Sequence, residues 1–124
     1  KRNSNFYKLW NIFNLQEFIA PIKHNEATPS WFNFPVVLRD TAPFKRDELV
    51  KYFESKQIRC RLFFAGNITR HPAFKGKGII IGDLPVSDYL MKNAFLIACH
   101  PKLTNADINY IGDQLQAFVE SKKA

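Results

Sequence analysis

The sequence predicts an α+β two-layer sandwich: a small, mainly antiparallel three-stranded sheet with helices on one face. Two observations lead there. Apolar residues recur with helical spacing in four segments and with strand-like composition in three, in the order helix, strand, helix, strand, long loop, helix, strand, helix. Twelve Phe residues in 124 positions then supply enough apolar volume for one packed core, so a single domain is expected.

Each element follows from local pattern. Phe6, Leu9, Trp10 and Phe13 fall at i, i+3, i+4 and i+7, one apolar face of a helix over residues 5–18. Pro21 and the polar stretch Lys23–Pro29 are expected to end it, which makes residues 1–20 a connecting helix, an arm that packs against something outside this chain. The strand formers of Trp31–Leu38 predict the first strand, with Pro35 marking an edge or bulge. Leu49, Val50 and Phe53 give a short helix over Arg46–Lys56 its inner face. Ile58–Phe64 is the second strand, and Arg59 and Arg61 alternating with Cys60 and Leu62 say that one of its faces is wet. Residues 65–83 hold four of the five glycines and read as a long functional or mobile connection. Leu84–Ala94 is a third helix and Phe95–Cys99 a third strand. Thr104, three residues before Asp107, resembles a capping box for a last helix lined by Ile108, Ile111, Leu115 and Phe118. The sandwich proper is expected over residues 29–122.

Charge and cysteines bound the function. A formal net charge of +7 suits anionic ligands, yet the basic residues are scattered, with no block or helical stripe, so nucleic-acid binding is not expected. No apolar run approaches the roughly 20 residues that cross a bilayer, so no membrane partner is expected either. No leader-like apolar segment follows Lys1–Ser4, and no initiating Met is present, so a piece of a longer cytoplasmic protein is expected. Cys60 and Cys99 form no C-x-x-C pair, which fits a reducing compartment. Cys60 lies between two arginines that would favour its thiolate; the plainer reading is a buried structural cysteine. His24, His71 and His100 have no ligand partner at i+2 to i+4, so no metal site is expected. No P-loop or strand–GxGxxG–helix pattern occurs, and Asp83 and Asp88 read as helix-start charges.

Phe63-Phe-Ala-Gly-Asn-Ile-Thr-Arg-His-Pro72 is the stretch richest in chemistry. Gly66 permits close backbone approach, Asn67 offers donors and an acceptor, Thr69 a hydroxyl, and Arg70 a planar fork for phosphate or carboxylate. On these residues alone a polar turn and a ligand-binding loop both remain open.

Together with Pro29-Ser-Trp-Phe32, Gly82-Asp-Leu84, Ser87-Asp88…Met91 and Phe95…His100-Pro-Lys-Leu-Thr104, this stretch resembles the small C-terminal domain of the DegT/DnrJ/EryC1/StrS superfamily over residues 29–120. It is most similar to the nucleotide-sugar 3-dehydrase branch of lipopolysaccharide biosynthesis that acts on CDP-linked 6-deoxy-4-hexuloses. The resemblance implies a homodimeric fold type I enzyme of deoxysugar synthesis that uses pyridoxamine phosphate (PMP) or pyridoxal phosphate (PLP). The cofactor amine would engage the 4-keto group of the sugar while the C3 hydroxyl leaves. The cofactor site, the catalytic residues, and the [2Fe-2S] cluster that a flavin reductase partner would serve all belong to a large domain upstream. Neither catalytic nor cofactor-binding residues are then expected in residues 1–124. By the same resemblance Asn67, Thr69, Arg70 and His71 contact the nucleotide sugar, CDP-linked or GDP-linked, and Ser30 and Trp31 pack at the domain join. A PLP-dependent sugar aminotransferase and a non-catalytic nucleotide-binding module are the alternatives.

Overall fold

The computed structural model describes residues 1–20 and 26–123. Four α-helices and four strands follow in the order α1 (Arg2–Phe13), β1 (Ile19–Ala20), β2 (Asn33–Leu38), α2 (Arg46–Ser55), β3 (Cys60–Leu62), α3 (Pro85–Asn93), β4 (Ala94–Ala98) and α4 (Asn105–Lys123). Two short 3₁₀ turns, Ile68–Arg70 and Pro72–Phe74, interrupt the long connection. Pro21, Lys23 and His24, to which the sequence assigned a helix end and a non-ligand histidine, lie outside the described residues.

The sheet is antiparallel in the order β1-β2-β4-β3, so it has four strands where three were expected. The added strand is two residues long: Ile19 lies opposite Leu38 and Ala20 opposite Val37. So short a strand shows no alternation to read in a sequence. The first helix also ends five residues early, at Phe13, which frees Phe18 and Ile19 to enter the core.

The core lies on one sheet face. Phe34, Val36 and Leu38 alternate along β2 and meet Phe95 and Ile97 of β4 there. The helices cover them with Phe6, Leu9 and Phe13 of α1, Leu49 and Phe53 of α2, and Ile108, Ile111, Leu115 and Phe118 of α4. Helix α1 is therefore no outward arm. Its apolar face is buried inside this chain, and the Phe6 ring stacks on Trp31 at 4.0 Å and 5°. The Trp31 ring is thus used in packing within the chain. Asn5, almost fully buried, donates its side-chain amide to the His100 carbonyl at 2.7 Å and ties α1 to the end of β4.

The capping box appears as read. The Thr104 N–H donates to Asp107 Oδ2 at 2.7 Å, and the Asp107 N–H donates to Thr104 Oγ1 at 3.2 Å. Helix α3 is held at its C-terminal end by Arg46 of α2, whose Nη1 donates to the Met91 carbonyl at 2.6 Å, a cation on the negative end of a helix. The Tyr89 hydroxyl donates to the Leu38 carbonyl at 2.6 Å and fixes α3 beside the end of β2. Among the described residues no helix is long and apolar enough to cross a membrane.

Candidate functional site

The loop after β3 is built on two left-handed residues. Phe64 has φ 49° and Gly66 φ 64°. Only glycine fits at 66: a Cβ there would lie 2.5 Å from Met91 Cβ and 2.8 Å from Met91 Cα. The close approach that the glycine permits is to helix α3, not to open space for a ligand.

Directly after it, Asn67 is 2% exposed and organises the turn. Its Oδ1 accepts the Thr69 N–H at 3.1 Å and the Thr69 hydroxyl at 2.6 Å, an Asx turn that starts the first 3₁₀ segment. Its Nδ2 donates to Asp88 Oδ1 at 2.7 Å. Arg70 grips the same carboxylate with both arms of its fork, Nε to Oδ1 at 3.0 Å and Nη2 to Oδ2 at 2.8 Å. His71 Nε2 meets the Ala65 carbonyl at 2.7 Å, so that ring nitrogen is the donor. Asn67, Thr69 and Arg70 thus converge in one network, and His71 closes back on its own loop.

The residue that sequence reasoning missed is Asp88, the centre of that network. It was read as a helix-start charge because its partners lie 18 and 21 residues away, and no local periodicity links them. Its place in the Ser87-Asp88 block was the available signal. The Arg70 hydrogen bonds, and then the Asn67 amide, hold the Asp88 carboxyl below the ordinary aspartate value of 3.8; Asp88 in turn raises Arg70 further. A depressed carboxyl contributes stability that is complete above its unfolded value and is lost as pH falls through the folded one. Acidification below about pH 4 is therefore expected to release the loop, seen as lost hydrogen-exchange protection at the Thr69 amide relative to its intrinsic rate at each pH. Asp88→Asn should remove this acid dependence at Thr69, and an unchanged profile in that variant would contradict the assignment. Asp107 and Glu48 are also depressed, by Thr104 and by Lys122, but both lie outside the loop.

Beside the loop, a groove of about 340 Å³ is lined by Ile68, Thr69, Phe74 and residues 75–80. Thr69 is the polar group of the network that lines it. The three isoleucines 79–81 stand outward, Ile79 and Ile81 about nine-tenths exposed.

Neither cysteine supports a reactive thiolate. Burial, and then the Glu54 charge, push the Cys60 thiol up to about 12, and burial raises Cys99 as well. The flanking arginines do not offset this, so the structural reading holds for Cys60. Among the described residues no group of three His, Cys, Asp or Glu side chains could hold a metal ion.

Residues 3–116 match the DegT/DnrJ/EryC1/StrS aminotransferase family. The chain belongs to this family. Among its relatives, the lipopolysaccharide biosynthesis protein RfbH of Salmonella typhimurium is 35% identical over 121 residues. The dTDP-4-dehydro-2,6-dideoxy-D-glucose 3-dehydratase of Saccharopolyspora spinosa is 37% identical over 109 residues. These alignments take in 95% and 87% of this chain but only 28% and 24% of those proteins, so the chain spans about a quarter of their length. The fold is that of the solved family members. The Escherichia coli GDP-4-keto-6-deoxy-D-mannose-3-dehydratase with bound hydrated PLP superposes with a TM-score of 0.82 at 21% identity, over 92% of this chain and 30% of that one. An aminotransferase from Psychrobacter cryohalolentis superposes with 0.86 at 18% identity, over all of this chain and 35% of its own.

PLP or PMP is the cofactor of the family, and the loop that leads into α3 does not offer it a phosphate cradle. A phosphate cradle needs free backbone N–H groups at a helix N-terminus. The loop that leads into α3 instead meets a helix with Pro85 in its first turn and the Asp88 carboxylate beside it.

Proposed function

We propose that the chain is the small C-terminal domain of a PMP-dependent dehydrase that removes the C3 hydroxyl of a nucleotide-linked 4-keto-6-deoxyhexose. The observation that carries the reading is the 37% identity, over most of this chain, to a sugar-nucleotide 3-dehydratase. The division is a connecting segment over residues 1–20, helical at Arg2–Phe13, and a sandwich over 29–122, with the cofactor-binding domain upstream. When bound there, the cofactor supplies an amine for the sugar ketone and an electron sink. The residues of this chain supply surroundings: the loop closes over the sugar and keeps water away from it. Asn67 shapes the turn from inside, Thr69 lines the groove with its hydroxyl tied to Asn67, and Arg70, largely exposed, exchanges Asp88 for an anionic or hydroxyl group of the substrate. His71 holds the loop end through Ala65.

A CDP-linked sugar is the substrate we favour; relatives act on dTDP- and GDP-linked sugars, so all three belong in the assay. A homodimer in the cytoplasm, a [2Fe-2S] cluster upstream and a flavin-linked reductase complete the proposal. An aminotransferase is the second reading, supported by the match of residues 3–116 to a family described as aminotransferases.

The test is Arg70→Ala in the protein that joins this chain to its cofactor domain. Loss of a charge-assisted hydrogen bond is expected to cost about 1.5–3 kcal/mol of transition-state binding, a roughly 10- to 150-fold fall in kcat/KM. An unchanged kcat/KM would remove Arg70 from the site.

A further inference from the structure

The sheet face turned away from the helices carries a second cluster that the loop does not use. Arg61 lies opposite Leu96, and Leu96 opposite Pro35, so the three side chains share that face. Two residues along on the same face, Asn33 lies opposite Ala98. At this end of the sheet a recess of about 210 Å³ is lined by Arg2 of α1, Arg59 and Arg61 around β3, Asn33 of β2, His100 after β4, and Phe32.

Three arginines from two separate parts of the chain point at one recess that no carboxylate lines. Among the described residues none of the three is in an ion pair, whereas Arg46 and Arg70 each have their aspartate. The Asn33 Nδ2 is buried without an acceptor. An orphaned buried donor is unfavourable unless something accepts from it. Like charges gathered without a counter-ion also repel, and an anion removes both penalties at once. Phe32, 64% exposed at the rim, adds a bare aromatic face of the kind on which a nucleobase stacks. The volume is below the roughly 300–1,000 Å³ of a whole-ligand pocket, so the recess takes part of a larger molecule.

We propose that this recess is a diphosphate subsite, in which Arg2, Arg59 and Arg61 hold the phosphates of a nucleoside diphosphate and Phe32 lies against its base. That the ligand is a nucleotide rests on the function proposed above; that it is an oligoanion rests on the recess alone.

The experiment is an amide-shift NMR titration of the 124-residue chain, first with inorganic pyrophosphate and then with CDP, on wild type, Arg61→Gln, Arg59→Gln and Lys51→Gln. Pyrophosphate is expected to give saturable shifts at Asn33, Arg61, Ala98 and His100. Arg61→Gln and Arg59→Gln should each weaken binding tenfold or more, and Lys51→Gln, on the exposed face of α2, should leave it unchanged. CDP should add shifts at Phe32. Three outcomes would overturn the subsite: no saturable shift, shifts confined to residues 65–71, or affinity indifferent to both β3 arginines. If pyrophosphate binds as expected but the full enzyme neither dehydrates nor transaminates a sugar nucleotide, the recess stands and the enzymatic reading falls.

Discussion

Gly66→Ala is expected to destabilise the protein by about 2–5 kcal/mol, the sum of two independent costs. A non-glycine residue at φ 64° costs roughly 1–2 kcal/mol in the left-handed region. Its Cβ would also stand 2.8 Å from Met91 Cα, so backbone must move, not just a flexible side-chain tip. Forcing extra volume into a packed contact adds typically about 1–3 kcal/mol. Met91 is one helical turn beyond Asp88, so the displaced α3 also pulls the carboxylate away from Asn67 and Arg70. Gly76→Ala is the control that separates the two costs. Gly76 has φ 74° but nothing within 4 Å of its would-be Cβ, so that variant should lose the backbone cost alone. Urea denaturation measures both, and equal losses would mean that Gly66 is not wedged against α3.

Phe6→Ala is expected to cost about 3–5 kcal/mol, the range for removing a buried phenyl ring. Phe6 is 2% exposed, stacked on Trp31 and tilted against Phe34 at 5.0 Å, so its loss opens a cavity between α1 and β2. Denaturant unfolding followed by tryptophan fluorescence checks it. If α1 were an arm waiting for an external partner, the same substitution would change stability by only a few tenths of a kcal/mol.

The contrast between those two residues shows what was legible in the chain. The apolar spacing of Phe6, Leu9 and Phe13 identified a helix and its inner face. It did not say what that face meets, because packing partners such as Trp31 and Leu115 are fixed by topology, not by spacing. Strands β2 and β4 were found within two residues of their bounds because six and five residues of strand formers make a pattern; Ile19–Ala20 is too short to make one. Gly66 was read as a place where the backbone approaches a ligand, whereas the group that approaches it is helix α3. The loop residues Asn67, Thr69 and Arg70 were singled out by their hydrogen-bonding capacity. Asp88 was not, since a carboxylate at a helix start has an ordinary electrostatic reason to be there.

That difference matters for function. In the function proposed here, a loop saturated by Asp88 is a preformed shape, which lowers the ordering cost when substrate arrives. The exposed Arg70–Asp88 pair is the part of it free to exchange partners, since exposed ion pairs are held only weakly.

The central claim is that this chain completes a sugar-nucleotide 3-dehydrase, and product analysis tests it most directly. The protein that carries this chain with its cofactor domain should be incubated with PMP and a nucleotide-linked 4-keto-6-deoxyhexose, and the sugar examined by mass spectrometry and NMR. The account predicts loss of the C3 oxygen with no nitrogen incorporated. A sugar that keeps its C3 hydroxyl and gains an amino group at C4 would contradict it and assign the chain to an aminotransferase.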